Sequence, residues 1–189
     1  ELRTTATLPK IVRAPYAPAK ALESTARWYA GDFHVHSRES GDARPPIDEI
    51  AAFARSRGLD FVELSDHNTV SQDDLIAEAQ AKTKVLLLPG IEYTTYGGHA
   101  NAIGATKWVN HRIGDGGATI DAAIRADHAQ GALFSLNHPG LDLGDQCIGC
   151  AWTHAVPPGL LDAIEIETLG YKPVGFLFHN IAINIWEQL

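Results

Sequence analysis

Hydrophobic and polar positions along the chain follow two alternating patterns, one with the period of a strand and one with the period of a helix. The predicted strands cover residues 28–36, 60–64, 85–88, 99–103, 133–137 and 163–166. The predicted helices cover residues 47–57, 71–81 and 119–130, and a final helix begins at residue 174. Because strands and helices alternate, we expect a parallel sheet covered by helices, either a closed barrel or an open doubly wound sheet.

Two local patterns add detail to this arrangement. Ser71 precedes Asp74 by three residues, the spacing of a capping box, so Ser71 is the expected N-cap of the second helix. Residues 85–88 are continuously apolar, as in strands buried on both faces, and this strand is expected to end at Glu92.

The chain divides into a short leader and one domain. Its 189 residues are consistent with a single domain, since a typical domain has ~150 residues. Residues 1–27 contain three prolines that interrupt any periodicity, so they are predicted to be a leader segment without a core of its own. Residues 28–189 are predicted to form the functional domain.

Charge and hydropathy exclude several kinds of partner. The chain has 23 acidic and 15 basic residues and a net charge of -8, which argues against binding to nucleic acid or to an anionic membrane surface. The longest apolar stretch, residues 85–91, is far too short to span a membrane. We therefore expect a soluble protein, cytoplasmic or periplasmic, that acts on a small molecule; the oligomeric state stays open.

Histidine is frequent, with nine residues, and several of them lie at the ends of predicted strands. His34 and His36 share one face of the first strand, and a His-x-His pair on one face can chelate a metal ion. Further strands bring Asp66 and His67, Glu92, His99, and Asn137 and His138. The carboxyl ends of strands carry the functional sites of parallel α/β folds, so these residues together predict a metal site. Histidine and carboxylate ligands suit zinc, manganese or iron.

Four segments carry these residues in a fixed order. They are residues 32–37 (Asp-Phe-His-Val-His-Ser), 65–68 (Ser-Asp-His-Asn), 90–92 (Gly-Ile-Glu) with His99, and 137–139 (Asn-His-Pro). In this order they resemble the motifs of the PHP superfamily, named for polymerase and histidinol phosphatase, from about residue 28 to the end of the chain. Within the superfamily the spacing is most similar to the branch that includes carbaryl hydrolase-like metallohydrolases. The resemblance implies a distorted TIM-like (β/α)7 barrel.

The resemblance also implies two or three divalent metal ions with seven protein ligands. Those ligands would be His34, His36, Asp42, His67, Glu92, His99 and His138. The His-x-His pair would bind a first ion, and Glu92 would bridge it to a second ion that His99 and His138 also hold. His67 and Asp42 would belong to a third site. Glu39 is the alternative to Asp42, because Gly41 shifts the spacing by one position.

The activity implied by the resemblance is hydrolysis of small phosphomonoesters or phosphodiesters. A water held between the ions would lose a proton and attack phosphorus. The implied catalytic residues are Asp66, Glu92 and His138, of which Asp66 would orient a ligand or accept a proton.

One motif of the family is missing. The family pattern ends with an Asp-x-His on a late strand, and this chain has none there. The pattern of residues 181–189 predicts an unfinished amphipathic helix, which favours a barrel truncated at the C-terminus. In the alternative, the first and third metal sites each lack a ligand. We therefore expect an incomplete domain, and the full activity of this chain is in question.

Other functions and residues stay open. The same metals would serve a hydrolase of carboxylic or carbamate esters, for which an apolar pocket is expected, whereas cationic side chains near the metals would favour phosphate. The chain could also be a non-catalytic metal-binding module of a larger protein. Cys147 and Cys150 could be thiols, a local disulfide or part of a metal site. His154 and Glu167 could reach the cleft.

Overall fold

Six strands, adjacent in chain order, form one curled sheet that makes up about half of a barrel. The structure is a computed structural model and describes residues 25–167 and 175–188. In those ranges the strands are β1 (Gly31–Val35), β2 (Phe61–Leu64), β3 (Leu86–Thr95), β4 (Gly98–Ile103), β5 (Leu133–Leu136) and β6 (Ala163–Ile164). The helices are α1 (Ile47–Ser56), α2 (Asp73–Thr83), α3 (Ile120–Ala129) and α4 (Gly175–Gln188). The predicted α/β class is confirmed.

The predicted leader, residues 1–27, lies outside the described residues except for its last three. Of these, Arg27 donates hydrogen bonds of 3.0 and 2.7 Å to the carboxylate of Asp60. This guanidinium, helped by the backbone N–H of Ala30, lowers the pKa of Asp60 to about 2. The segment before β1 is therefore attached to the start of β2.

None of the helices in the described ranges combines the length and the apolar character that crossing a membrane requires.

The sheet is not parallel throughout, because β3 and β4 form an antiparallel hairpin. β3 continues past Glu92 to Thr95, and its first half pairs parallel with β2 while its second half pairs antiparallel with β4. Only two residues separate β3 from β4, far fewer than the crossover that a parallel neighbour needs. The predictions of a wholly parallel sheet and of a strand end at Glu92 are therefore wrong. β5 is antiparallel to β4 and parallel to β6.

The second helix begins later than the sequence predicts. α2 starts at Asp73, and its N-cap is Gln72, whose side chain makes no capping hydrogen bond. Gln72 is fully buried, and its amide donates a 2.7 Å hydrogen bond to the carbonyl of Gly90. Because this bond to β3 fixes the start of α2, the capping box predicted at Ser71 does not form.

In the described ranges, two apolar clusters hold α1, α2 and α3 on the sheet. α1 buries one face at helical spacing against β2 and α2. The residues of that face are Ile47, Ile50, Ala51 and Ala54. The second cluster lies between α3 and the strands β3 to β5, around Tyr93 and Phe134. Packing on the outer face of the sheet leaves its strand ends available for polar side chains.

The buried face of α3 also contains two polar residues. His128 Nε2 lies 2.9 Å from the carboxylate of Asp162, and this contact ties α3 to the segment before β6. Asp127 is buried, and its Oδ2 has no hydrogen-bond partner. Burial therefore raises the pKa of Asp127 to about 7.

We predict that Asp127→Asn removes a pH-dependent loss of stability. The folded protein keeps the proton of Asp127 up to a pKa of about 7, whereas the unfolded chain releases it at the ordinary value of 3.8. The free energy of unfolding of the wild type should therefore fall as pH rises between these two values and then level off. Urea unfolding of wild type and Asp127→Asn across this range measures the difference. Asp145→Asn, at an exposed position, is the control; parallel curves for wild type and Asp127→Asn would contradict the prediction.

Candidate metal centre

Polar side chains from all six strands meet at one edge of the sheet. β1, β2 and β3 are parallel and end at this edge, β4 begins there, and β5 and β6 end there. The hairpin therefore brings the start of β4 beside the second half of β3, where His99 pairs with Thr94. The residues delivered to this edge are His34, His36, Asp66, His67, Glu92, His99, Asn137, His138 and Glu165.

The carboxylate of Glu92 lies at the centre of five imidazoles and is 1% exposed. The nearest nitrogen-to-oxygen distances are 2.9 Å for His36 and His67, 3.3 Å for His34 and His99, and 3.4 Å for His138. The amide of Asn137 donates a further hydrogen bond of 3.0 Å to Oε1. The structure thus brings six of the seven sequence-predicted ligands into one cluster, centred on the predicted bridging residue.

Several atoms of this cluster are buried but not hydrogen-bonded. They are His36 Nε2, Glu92 Oε2 and both ring nitrogens of His99. His36 Nε2 and Glu92 Oε2 are 2.9 Å apart but are not aligned for a hydrogen bond. A buried polar atom without a partner is costly, and a cation bound here would satisfy His36 Nε2, Glu92 Oε2 and one ring nitrogen of His99. The donor set therefore fits a metal ion, and three-residue groups drawn from it have ligand atoms within 4.8 Å of one another.

A second layer of acceptors orients the rings. His34 Nδ1 lies 2.9 Å from Glu165 Oε2, and the same oxygen accepts from the backbone N–H of His138 at 3.2 Å. His138 Nδ1 donates to the carbonyl of Cys150 at 3.2 Å. With the Nδ1 atoms engaged in this way, Nε2 of each ring faces Glu92, as in metal sites where an outer acceptor fixes the ligand tautomer. His138 also has a φ of 28°, a strained backbone conformation of the kind found at functional sites.

Asp42, the seventh predicted ligand, lies at the rim of the cluster. Its Oδ2 is 2.9 Å from His36 Nδ1 and 3.6 Å from His67 Nε2, and half of its side chain is exposed. Glu39, the alternative, lines a groove between α1 and α2. Asp42 rather than Glu39 therefore lies beside the predicted third site.

Asp66 lies behind the ligands rather than among them. Its two carboxylate oxygens accept hydrogen bonds from the backbone N–H of Ser37 at 2.6 Å and from the hydroxyl of Ser37 at 2.7 Å. Burial raises the pKa of Asp66, and the bonds from Ser37 partly oppose that effect. Since Ser37 follows His36 directly, Asp66 fixes the backbone on which this imidazole is carried.

Opposite charges balance inside the cluster. Burial alone would raise the pKa of Glu92, but the close imidazoles of His138, His34, His36 and His67 outweigh burial and hold that pKa well below its usual value. Burial alone would lower the pKa of His34, but Glu165 and Glu92 together raise it to about 10. A metal ion that binds His34 must therefore displace its proton.

Three polar residues lie below the cluster, and two of them, Asn101 and Glu63, were not predicted as functional. Asn137 donates to Asn101 at 2.7 Å as well as to Glu92, and Asn101 donates to Glu63 at 3.4 Å. Glu63 is fully buried, and burial raises its pKa well above the usual value. Gly90 leaves the space that the Glu63 side chain occupies, since a Cβ at Gly90 would overlap it. This chain of hydrogen bonds holds Glu92 from below.

A cavity of about 740 Å³ opens beside the cluster. Thr94 connects the cavity to the cluster, because it lines the cavity and its Oγ1 lies 2.5 Å from His67 Nδ1. His154 reaches this cavity but not Glu92, and its Nε2 lies 2.7 Å from Thr95 Oγ1. The lining residues that the argument below uses are Tyr96, Arg112 and Ile148. Arg112 is exposed and was not singled out from the sequence.

Two open questions from the sequence now have answers. Glu165, rather than Glu167, reaches the cluster, and Glu167 is exposed. Cys147 and Cys150 form a disulfide, so of the three alternatives the local disulfide is the one present.

Comparison with known proteins adds a likeness of fold. No family model matches the chain, and no curated protein matches its sequence. Among solved structures, the chain is similar to a candidate metal-dependent phosphoesterase from Bifidobacterium adolescentis. The two share 14% sequence identity with a TM-score of 0.57, and the match covers 84% of each chain. The fold of the curled half-barrel and its helices is therefore shared with another solved structure.

We predict that Glu92→Gln abolishes metal binding at this cluster. Gln keeps the shape but removes the negative charge that the five imidazoles share, and it offers only one oxygen where Glu92 offers two. Metal affinity should fall by more than about 100-fold, since even outer partners of ligands are worth about 10–100-fold. Metal content by plasma mass spectrometry after equilibrium dialysis measures the loss. Glu78→Gln, at an exposed position on α2, is the matched control, and equal metal content in the two variants would contradict the prediction.

We also predict that Asp66→Asn weakens metal binding without abolishing it. The new amide would place a donor against the donors of Ser37, which loosens the backbone that carries His36. Affinity should fall by about 10–100-fold, the usual cost of losing an outer partner. The same dialysis measures it, with Asp145→Asn as control and thermal unfolding to check the fold. Unchanged affinity in folded Asp66→Asn would show that this contact does not position His36.

Proposed function

We propose that this protein is a metal-dependent hydrolase of small phosphomonoesters or phosphodiesters, of the PHP type. The observation that carries the proposal is the buried Glu92 carboxylate within 3.4 Å of five imidazole nitrogens, with unsatisfied lone pairs between them. The fold likeness to a candidate metal-dependent phosphoesterase supports it. On this proposal, the half-barrel belongs to the distorted (β/α)7 barrel that the resemblance to the PHP superfamily implies.

Two or three divalent ions, zinc, manganese or iron, would be held by the clustered donors. His34, His36 and Glu92 form one close group, and His67, Glu92 and His99 form another. His36, Asp42 and His67 form a group at the rim, beside the exposed side of the cluster. We assign the first group to the first ion, Glu92 with His99 and His138 to the second, and Asp42 with His67 to the third. Glu92 is common to the first two assignments, which makes it the bridging residue.

When bound, such ions lower the pKa of water towards neutrality and neutralise charge on phosphoryl oxygens. The protein's own residues supply position and shape. Glu165 holds His34 and His138 in place together, and Asp66 with Ser37 holds His36. Asn137 fixes Glu92 by donating to Oε1. Rigid outer partners of this kind keep ligands in reactive geometry without reorganisation during the reaction.

The neighbouring cavity supports a small anionic substrate. Its volume of about 740 Å³ lies within the range of roughly 300–1,000 Å³ that is usual for small-molecule sites. Arg112 is the one Lys or Arg, and Asp115 the one carboxylate, among its lining residues in the described part of the chain. Tyr96 and Ile148 provide apolar surface. An Arg guanidinium can bind a phosphoryl group through two parallel hydrogen bonds. It therefore favours a phosphoester over a neutral ester, the alternative that shares the same metal chemistry.

We predict hydrolysis of a phosphoester by the metal-loaded protein, with a KM that depends on Arg112. Protein loaded with zinc, manganese or iron should hydrolyse p-nitrophenyl phosphate or bis(p-nitrophenyl) phosphate faster than p-nitrophenyl acetate or an aryl carbamate. Arg112→Ala should raise KM roughly tenfold or more, the value of one charge-assisted contact, with a smaller change in kcat. Arg125→Ala, exposed on α3, is the control.

Three results would contradict this assignment in different ways. Faster hydrolysis of the carboxylic or carbamate ester would make the protein a neutral-ester hydrolase. Metal binding without hydrolysis of any substrate would make it a metal-binding module. An unchanged KM in Arg112→Ala would remove Arg112 from the substrate site while leaving the metal assignment in place.

A further inference from the structure

The loop that contains Cys147 and Cys150 packs directly against the histidine cluster. Cys150 is 3% exposed, and its carbonyl accepts the Nδ1–H of His138 at 3.2 Å. Its Sγ and a ring nitrogen from each of His99 and His138 lie within 4.8 Å of one another. The sulfur of Cys150 is therefore close enough to both imidazoles for the three residues to bind one metal ion. The family resemblance that implied the other ligands includes no cysteine.

We propose that reduction of the Cys147–Cys150 disulfide makes Cys150 a thiolate ligand that completes a metal site with His99 and His138. The disulfide would then control how tightly the centre holds one of its ions. This inference rests on the proposed function, because it places the thiolate in the same metal centre.

The chemistry of the donors supports a thiolate in this position. A thiolate binds metal ions strongly, whereas a sulfur in a disulfide carries no charge to offer. His99 is buried, and neither of its ring nitrogens has a hydrogen-bond partner. A ring nitrogen of His99 near Cys150 is therefore available to bind a metal ion. Zinc binds both imidazole and thiolate ligands, so Cys150 would join His99, His138 and the shared Glu92 around one ion.

The loop is held in place by contacts that do not involve the disulfide. Gly149 has a φ of 79° and packs so closely on the carbonyl of Thr95 that a Cβ could not fit. On the far side of Cys150, the N–H of Trp152 donates to the carbonyl of Pro139 at 3.0 Å, and the N–H of Thr153 donates to the carbonyl of Gly97 at 2.6 Å. Cys150 therefore stays beside His138 when the S–S bond is broken.

Reduction has an accessible route. Cys147 is partly exposed and its neighbour Ile148 is 59% exposed, whereas Cys150 is buried. A thiolate of a dithiol reductant would attack Cys147 Sγ, break the S–S bond and release Cys150 as a thiolate on the side of the cluster. The second thiol of the reductant then releases Cys147 and closes the reductant's own disulfide. Two electrons pass to the protein; Cys147 ends as a thiol, and Cys150 keeps its negative charge when a metal ion binds it.

The test is cobalt(II) binding, followed by absorption spectroscopy, which reports thiolate ligation independently of activity. Metal-free protein is titrated with cobalt(II) in the oxidised state and after reduction by a phosphine, which takes up one oxygen from water as it reduces the disulfide. The variants are Cys147→Ser, which leaves the Cys150 thiol free in every condition, and Cys150→Ser, which removes the ligand and also prevents the disulfide. Circular dichroism confirms that each variant is folded.

The expected result is a thiolate-to-cobalt charge-transfer band in reduced wild type and in Cys147→Ser, and no such band in oxidised wild type or in Cys150→Ser. Reduction should tighten cobalt binding by roughly tenfold or more in wild type and leave Cys150→Ser unchanged, since a direct ligand is worth at least as much as an outer partner. Failure of reduced wild type and Cys147→Ser to show the band, while oxidised protein binds cobalt, would overturn this inference alone. Failure of every form to bind cobalt would overturn the metal centre of the proposed function, and the inference with it.

Discussion

A buried carboxylate surrounded by imidazoles is the interaction on which this structure depends. Glu92 is 1% exposed, and a charge so far from water is costly unless it is paired. Five histidines from four strands and the segments that follow them supply that pairing. Each of these strands must therefore place one of its two ends at the same edge of the sheet and at the right height. The curled sheet satisfies this condition, and the apolar clusters on its outer face hold the strands in that arrangement.

The antiparallel hairpin is the feature that makes the cluster possible. A parallel strand in the place of β4 would present its beginning at the opposite edge of the sheet. Because β4 turns back after two residues, His99 enters the cluster from the start of its strand. The same turn lets Asn101 lie opposite Glu92 and join the hydrogen bonds that fix the carboxylate from below. One short turn thus places a ligand and part of its support.

Much of the inner cluster could be predicted from sequence, because its residues stand at strand ends in short motifs. His34, His36, His67, Glu92, His99 and His138 were all expected at one site, and they lie together. The outer partners could not be predicted in the same way. Glu165 follows a strand of only two residues, Arg112 lies in a loop, and Asn101 reads as an ordinary strand residue. Their positions depend on how segments distant in sequence pack together. The local pattern of hydrophobic and polar residues carries no information about that packing.

The division between inner and outer residues also suggests how such a centre can be adjusted. The inner imidazoles share Glu92, so a change in any one of them disturbs the charge balance of all. The outer partners each act on one or two rings: Asp42 on His36 and His67, Glu165 on His34 and His138, and the Cys150 loop on His138. They come from loops and a strand end that tolerate change better than the buried strands do. Control of the metal centre is therefore easiest to introduce through the outer layer, and the loop closed by the disulfide is the part of that layer whose covalent state can change without any change in sequence.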